Sequence, residues 1–521
     1  MDVTSPSPVR QPRTGRFRPP SAVGLLAAAG AWVIGWLPSL LPGGALIEGA
    51  TLGVVTAVGY GFGAAVGASV AMAWGGRTPP RWLRSASWLA AVLALLSGVG
   101  LAAGVAAQAN QMATPQLAAG WLATSVIGVL VAVALVVAAR GLRKLTRMLA
   151  QRFGARGTGA VRAQAYALAV LGVLGGAAVV IAALYGGMLL MFNRIDASTS
   201  GQSPPAAPSR SGSDASLISW DSLGRQGRDF VSQGTDPATI RSFAGLASGD
   251  TPEQRAQIAV NDMLRAGGAS ADVWIGITTT GNGFVDPVAA QAAETVAGNQ
   301  SALVAIQYST LPSWLSFLLN QDAARAAGVA TYEALVAARD ALPVNERPAL
   351  VLYGESLGAF GSPAPFADMD PAEVANRIDG ALWVGPPAAT NPVTAWTETG
   401  LPPIWQPVVD SGLTARYAAS APAVLDPPGG ATWPSPRILV LQNPTDPVVW
   451  FSPALVWQSP AWLSGDLGPG VQPDTRWTPV LFFFQVALDL PQAVSMPSGY
   501  GHNYGDALLA AWEQVLPPRA Q

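Results

Sequence analysis

The first two hundred residues contain five apolar stretches, 22–41, 50–74, 86–108, 117–139 and 164–192, and none of them holds an Asp, Glu, Lys or Arg. A helix needs about 20 such residues to cross the hydrocarbon core of a bilayer. Only 12% of the chain is charged and half is hydrophobic, against about a quarter charged in ordinary soluble domains. The excess apolar content is concentrated in these stretches, so the chain is expected to begin with an α-helical membrane region of about five spans. A cleaved signal peptide does not fit the first stretch, because a second apolar stretch follows it rather than a soluble domain. The expected organisation is a tail at 1–21, a membrane region at 22–192, a flexible linker at 193–216 and a globular domain at 217–521.

Loops rich in Arg and Lys stay in the cytoplasm. Arg10, Arg13, Arg16 and Arg18 precede the first stretch; Arg77, Arg81 and Arg84 separate the second from the third; Arg140, Arg143, Lys144, Arg147, Arg152, Arg156 and Arg162 separate the fourth from the fifth. Loops 42–49 and 109–116 carry neither residue type. The expected topology is therefore a multi-pass protein of the cell membrane, with a cytoplasmic N-terminus and everything beyond Phe192 extracytoplasmic. Within the second stretch Gly59, Gly63 and Gly67 recur at every fourth position and predict close helix packing. No ionisable side chain lies in the stretches, which argues against an ion or proton path.

Several function classes fall away on composition. With no cysteine, disulfides, thiol catalysis and Cys-ligated zinc are excluded. A single histidine, His502, rules out the usual histidine-based metal clusters, and no cofactor is expected. A net charge of −2, with no basic cluster outside the predicted cytoplasmic loops, gives nucleic-acid binding no electrostatic footing. Nothing in the sequence specifies an oligomeric state.

The outer half opens with R-I-D-A-S-T-S-G-Q-S-P-P-A-A-P-S-R-S-G-S-D-A-S from Arg194, a composition that cannot bury a core. Helical patterns follow at 224–232, 236–244 and 251–265; the last two open on Asp-Pro and Thr-Pro, a cap followed by proline in the first turn. Beyond them, strands are expected at 273–279, 303–308, 349–353, 380–384 and 438–441, with helices at 287–297, 322–341 and 504–515. Alternation of this kind predicts a doubly wound, mostly parallel α/β sheet, in which ligands gather at the carboxyl ends of the strands.

One of those ends carries Y-G-E-S-L-G, with Ser356 between Gly354 and Gly358. In a chain with 57 glycines, a bare G-x-S-x-G arises by chance roughly 0.4 times, so the context has to decide. An apolar strand ends at the motif and small residues able to start a helix follow, as in a nucleophile elbow. A serine hydroxyl needs a base, and His502, in G-H-N-Y-G-D just before the last helix, is placed to supply it. The acid is expected after a late strand. Asp446, in the turn beyond 438–441, is preferred over Asp489, which lies in an apolar helix-like run, and over Asp410, Asp426, Asp466 and Asp474 in Pro/Gly-rich loops. For an oxyanion, the backbone N–H of Leu357 and those of Asn282 or Gly283, in the glycine-rich loop after the strand at 273–279, are the candidates.

The motifs T-G-N-G-F-V-D-P from Thr280, Q-Y-S-T-L-P-S-W-L-S from Gln307, Y-G-E-S-L-G, A-L-W-V-G-P-P from Ala381, D-P-V-V-W from Asp446 and G-H-N-Y-G-D from Gly501 span the outer domain. With the apolar layout ahead of them, they resemble the membrane-anchored α/β-hydrolase proteins of actinobacteria. The resemblance implies an α/β-hydrolase domain with Ser356, Asp446 and His502 as its triad, and it brings no substrate. That fold often begins with an antiparallel strand pair, whereas 217–265 reads as helical, which leaves those strands unassigned.

Trp314, Trp383, Trp396, Trp405, Trp433, Trp450, Trp457, Trp462 and Trp477 fall in the outer domain, and the stretch W-T-P-V-L-F-F-F-Q-V-A-L from Trp477 is apolar nearly all round. Such residues suit an acyl pocket or a membrane surface as well as core and lid packing. The expected function is a serine hydrolase of the carboxylic-ester type, acting outside the cytoplasm on an ester of an envelope lipid or acylated envelope component. An acyltransferase with the same triad and a non-catalytic envelope scaffold are the alternatives.

Overall fold

The computed structural model describes residues 20–73, 80–112, 120–154, 157, 159–199, 201–234, 236–425 and 432–517. Arg10, Arg13, Arg16, Arg18, Arg77, Arg156 and Asp426 lie outside them, as does nearly all of the 1–21 tail.

The apolar stretches form helices α1 (Ala22–Ile34), α2 (Ala45–Ala73), α3 (Arg81–Gln111), α4 (Trp121–Arg152) and α5 (Ala160–Ala197). Three of these, α2, α4 and α5, are long and apolar enough to cross a membrane. The first stretch departs from expectation: α1 has only 13 residues. Pro38 disfavours helical backbone at the residue before it, and the chain leaves α1 as a buried loop in which Leu40 and Leu41 are fully covered. Close packing by the glycine face is present: a Cβ built on Gly59 or on Gly63 would lie 2.5 Å from Ala31 Cβ or Ala27 Cβ of α1.

The C-terminal domain is built on a seven-stranded sheet of β1 (Ile240–Ala244), β2 (Val273–Thr278), β3 (Ser301–Ile306), β4 (Ala349–Glu355), β5 (Gly380–Val384), β6 (Ala415–Ala418) and β7 (Arg437–Leu441). Their order is β1-β3-β2-β4-β5-β7-β6, and every pairing is parallel. Helices cover both faces. Helix α6 (Gly224–Ser232) flanks β1; α7 (Pro252–Arg265) and α10 (Gln321–Asp340) pack on one side; α8 (Pro287–Ala297) and α13 (Gly505–Val515) lie together on the other. The strands are accordingly buried along almost their whole length, as sheets covered on both faces require.

Two strands escaped the sequence reading. Residues 236–244, expected as a helix, contain β1 instead. Asp236 caps a turn through Ala238 N–H at 2.8 Å, and the polar residues that blur the strand's alternation are buried and paired. Arg241 Nε donates to Glu294 of α8 at 2.6 Å and Ser242 Oγ to the Ala259 carbonyl of α7 at 2.6 Å. The other, β6, is four residues long.

The linker expected at 193–216 is in large part packed structure. Its first residues, through Ala197, extend α5. Farther on, Ser211 N–H donates to the Arg241 carbonyl and Arg241 N–H to the Ser209 carbonyl, both at 3.1 Å, so the chain covers the open edge of β1. Asp262 then holds Ser211, Ser216 and the Leu217 N–H. Its Ser/Pro/Gly composition reflects backbone and small-side-chain hydrogen bonding rather than a free tether.

The N-terminal helical region and the C-terminal domain share a second apolar cluster. Leu40, Leu41 and Met112 pack with Trp450, Trp462, Phe482 and Val486, the last two on α12 (Leu481–Asp489). Asp489 Oδ2 accepts the N–H groups of Leu40 at 3.1 Å and Leu41 at 3.3 Å, and Gln485 Nε2 donates to the Leu37 carbonyl at 3.0 Å.

Candidate active site

The strand β4 passes through Ser356 directly into α11 (Leu357–Gly361). Ser356 has φ 55° and ψ −124°, a backbone region that costs a non-glycine residue on the order of 1–3 kcal/mol. Its neighbours permit the turn because they lack side chains. A Cβ on Gly354 would lie 2.3 Å from the Gly358 carbonyl oxygen, and one on Gly358 2.2 Å from that of Thr278. Ser356 N–H is fixed to the Val384 carbonyl at 2.8 Å.

The loop carrying His502 is latched to the turn after β7 by a set of short bonds. Asn443 Nδ2 donates to the Gly501 carbonyl at 2.8 Å, and Gly501 N–H to Thr445 Oγ1 at 2.9 Å. His502 Nδ1 lies 2.6 Å from Asp446 Oδ2, and Tyr504 OH donates to the same oxygen at 2.6 Å. The other oxygen of Asp446 accepts the Val448 N–H at 2.8 Å. Asp446 is fully buried and thus held from three directions.

His502 packs one strand away from Ser356, with no hydrogen bond between its Nε2 and the serine hydroxyl. Glu355 of β4 pairs with Val384 of β5, so the next residues along are Ser356 and Gly385, on strands about 4.8 Å apart. A Cβ on Gly385 would lie 2.4 Å from His502 Cε1; the imidazole rests on that bare backbone, one strand from the serine. Its Nε2 is buried and has no hydrogen-bond partner among the described residues.

The surroundings are acidic. Tyr353 OH donates to Glu355 at 3.1 Å. Burial, reinforced by the charge of Asp286, pushes the Glu355 carboxyl up to about 7. Asp286 caps α8 through Val288 N–H at 2.9 Å and is itself raised by burial. Burial of His502 disfavours its cation, yet the Asp446 carboxylate, with help from Glu355, outweighs this and raises the imidazole above 6.5.

Of the three oxyanion candidates, the structure leaves two. Leu357 is the first residue of α11, where an N–H has no intrahelical acceptor. Gly283 does not qualify: its N–H donates to the Thr280 carbonyl at 3.0 Å, closing the loop on itself. No acceptor is found for the Asn282 N–H among the described residues, while its carbonyl accepts from Gln307 Nε2 at 3.2 Å. Asp489 is bound to the Leu40–Leu41 loop, and Asp410, Asp466 and Asp474 are exposed.

Sequence reasoning passed over Glu355, Tyr504 and Gln307. Glu355 is the variable residue of G-E-S-L-G, Tyr504 stands two places after the histidine, and Gln307 opens one of the quoted motifs; each gains meaning only from what it touches.

A parallel sheet whose central strand ends in a strained Gly-Glu-Ser-Leu-Gly turn, covered by helices on both faces, defines an α/β-hydrolase fold. The chain belongs to the alpha/beta-hydrolase family: that family matches residues 240–521, more than half of the chain, and the family's N-terminus matches residues 37–235. No curated protein and no solved structure matches the chain.

Proposed function

We propose that this protein is a membrane-anchored serine hydrolase of the carboxylic-ester type, acting on the outer side of the cell membrane on an ester of an envelope lipid or acylated envelope component. The observation that carries the reading is the 2.6 Å contact between His502 Nδ1 and Asp446, with Nε2 left unpartnered on the backbone next to Ser356. In this mechanism Nε2 takes the proton of Ser356 Oγ as that oxygen bonds to the acyl carbon. Asp446 orients the ring and stabilises the imidazolium, and N–H groups of Leu357 and the Asn282 loop receive the oxyanion. The C–O bond to the alcohol then breaks, His502 returns the proton to the leaving oxygen, and water repeats the sequence to release the acid.

The sidedness rests on two contacts. The end of the first apolar stretch, at Leu40 and Leu41, and the loop 109–116, at Gln111, both on the side predicted to lie outside, touch the C-terminal domain at Asp489 and at Tyr500 respectively.

Labelling intact cells with a membrane-impermeant fluorophosphonate tests chemistry and topology together. The wild-type chain is expected to be labelled, and Ser356→Ala and His502→Ala are expected to lose the label. Labelling that survives Ser356→Ala, or appears only after lysis, would refute the corresponding half. Product analysis with and without an acceptor alcohol then separates hydrolysis from acyl transfer.

A further inference from the structure

Residues 301–321 contain no charged side chain, and within them Ser313–Leu319 forms a short helix, α9. Its two sides differ. Leu315 and Ser316 are buried and Phe317 meets Phe360 of α11 edge-on at 6.4 Å, so the inner side rests on the helix that starts after Ser356. A Cβ on Gly281, next to Asn282, would lie 2.7 Å from Ser316 Oγ. On the outer side Trp314, Leu318 and Leu319 are 51%, 56% and 54% exposed, a side that is apolar apart from the Trp314 indole N–H.

The position of α9 identifies what covers that side. Thr310, just ahead of the helix, donates to Asn193 at 2.7 Å. Asn193 directly follows the apolar run of α5, where Leu190 and Met191 are also exposed. Phe317 in addition packs against the cluster that contains Leu40, Leu41 and Met112 from the membrane region. The helix is thus tied at both ends to the N-terminal apolar helices, through Asn193 at the end of α5 and through the cluster of Leu40, Leu41 and Met112. At seven residues it is about 10 Å long and cannot span; a short apolar helix with tryptophan suits the headgroup boundary.

We propose that α9 lies in the membrane leaflet on the side of the catalytic domain, with Trp314, Leu318 and Leu319 among the acyl chains, and that a lipid ester reaches Ser356 along it without leaving that leaflet. The delivery role rests on the hydrolase reading given above; the seating of the helix does not.

Because the chain has no cysteine, Leu318→Cys and, as a control, Val344→Cys at an 80% exposed site each create a single thiol. With the full chain in nanodiscs of phosphatidylcholine and phosphatidylglycerol, a nitroxide at position 318 is expected to collide more with oxygen than with a water-soluble nickel chelate, and one at 344 the reverse. Equal nickel access at both positions overturns the seating. Leu318→Glu is then expected to lower turnover of a long-chain ester embedded in the disc about tenfold, leaving a short soluble ester unaffected. Equal loss on both esters, or on neither, overturns delivery. No turnover and no fluorophosphonate labelling in wild type would overturn the hydrolase reading and delivery with it, while the nitroxide result would still decide the seating.

Discussion

The environment of His502 sets how the proposed chemistry should respond to pH. An imidazole must be neutral to accept the serine proton, so kcat/KM falls as the pH drops through its pKa. Because Asp446 and Glu355 outweigh burial and raise that pKa, the acid limb should have its midpoint above 6.5. The groups acting on the ring are Asp446 and Glu355, with Tyr504 against it edge-on and Asp286 beyond Glu355. Glu355→Gln removes the partial negative charge of a carboxyl pushed up to about 7, which destabilises the imidazolium and should move the limb to lower pH. A pH profile of this variant that overlays the wild-type profile would show that Glu355 does not act on the histidine. The turn at Ser356 and the pairing of Asp446 with His502 were legible in the sequence because a strand-turn-helix motif, a late-strand turn and a lone histidine are local signals; their joint catalytic role belongs to the proposal. Glu355 was not legible, because its charge matters through burial and through Asp286, neither of which a linear pattern encodes.

Gln307 couples two elements that are distant in sequence. Its Nε2 bonds the Asn282 and Ser309 carbonyls and Asp196 at the end of α5, while its Oε1 accepts the Leu246 N–H. It holds the loop after β2 against the end of α5. Gln307→Ala should therefore lower kcat on a soluble ester by at least about tenfold, as expected when an oxyanion donor is displaced, with KM changed little. A rise in KM at constant kcat would instead place Gln307 in ground-state binding. Most helices and central strands could be read from periodicity and caps. The helix expected at 236–244 failed because Asp-Pro starts turns as well as helices, and because Arg241 and Ser242 are tolerated in a buried strand only through partners on α8 and α7.

At the junction between the N-terminal helices and the α/β-hydrolase domain stands Asp489. Burial, with Glu48 nearby, pushes its carboxyl well above the ordinary range, and it accepts two backbone N–H groups from the loop after α1. Asp489→Ala would leave both donors buried without acceptors, at about 1–3 kcal/mol each. Amide exchange at Leu40 and Leu41 should accelerate about 10- to 100-fold, consistent with local opening made easier by that amount. Unchanged protection at these amides would show that the junction is held by apolar packing alone.

By itself the sequence determined which segments are apolar enough for a membrane, that the C-terminal half alternates strands with helices, and that a serine stands on a glycine-flanked turn. These follow from composition, periodicity and turn chemistry, which act over a few residues. Only the tertiary structure decided that Asp489 holds the loop after α1, that the first apolar stretch stops short as a helix, and that the linker closes the sheet's edge. Such outcomes depend on which surfaces meet, as when Asp489 binds a backbone 449 residues away, and the pattern along the chain carries no record of the partner.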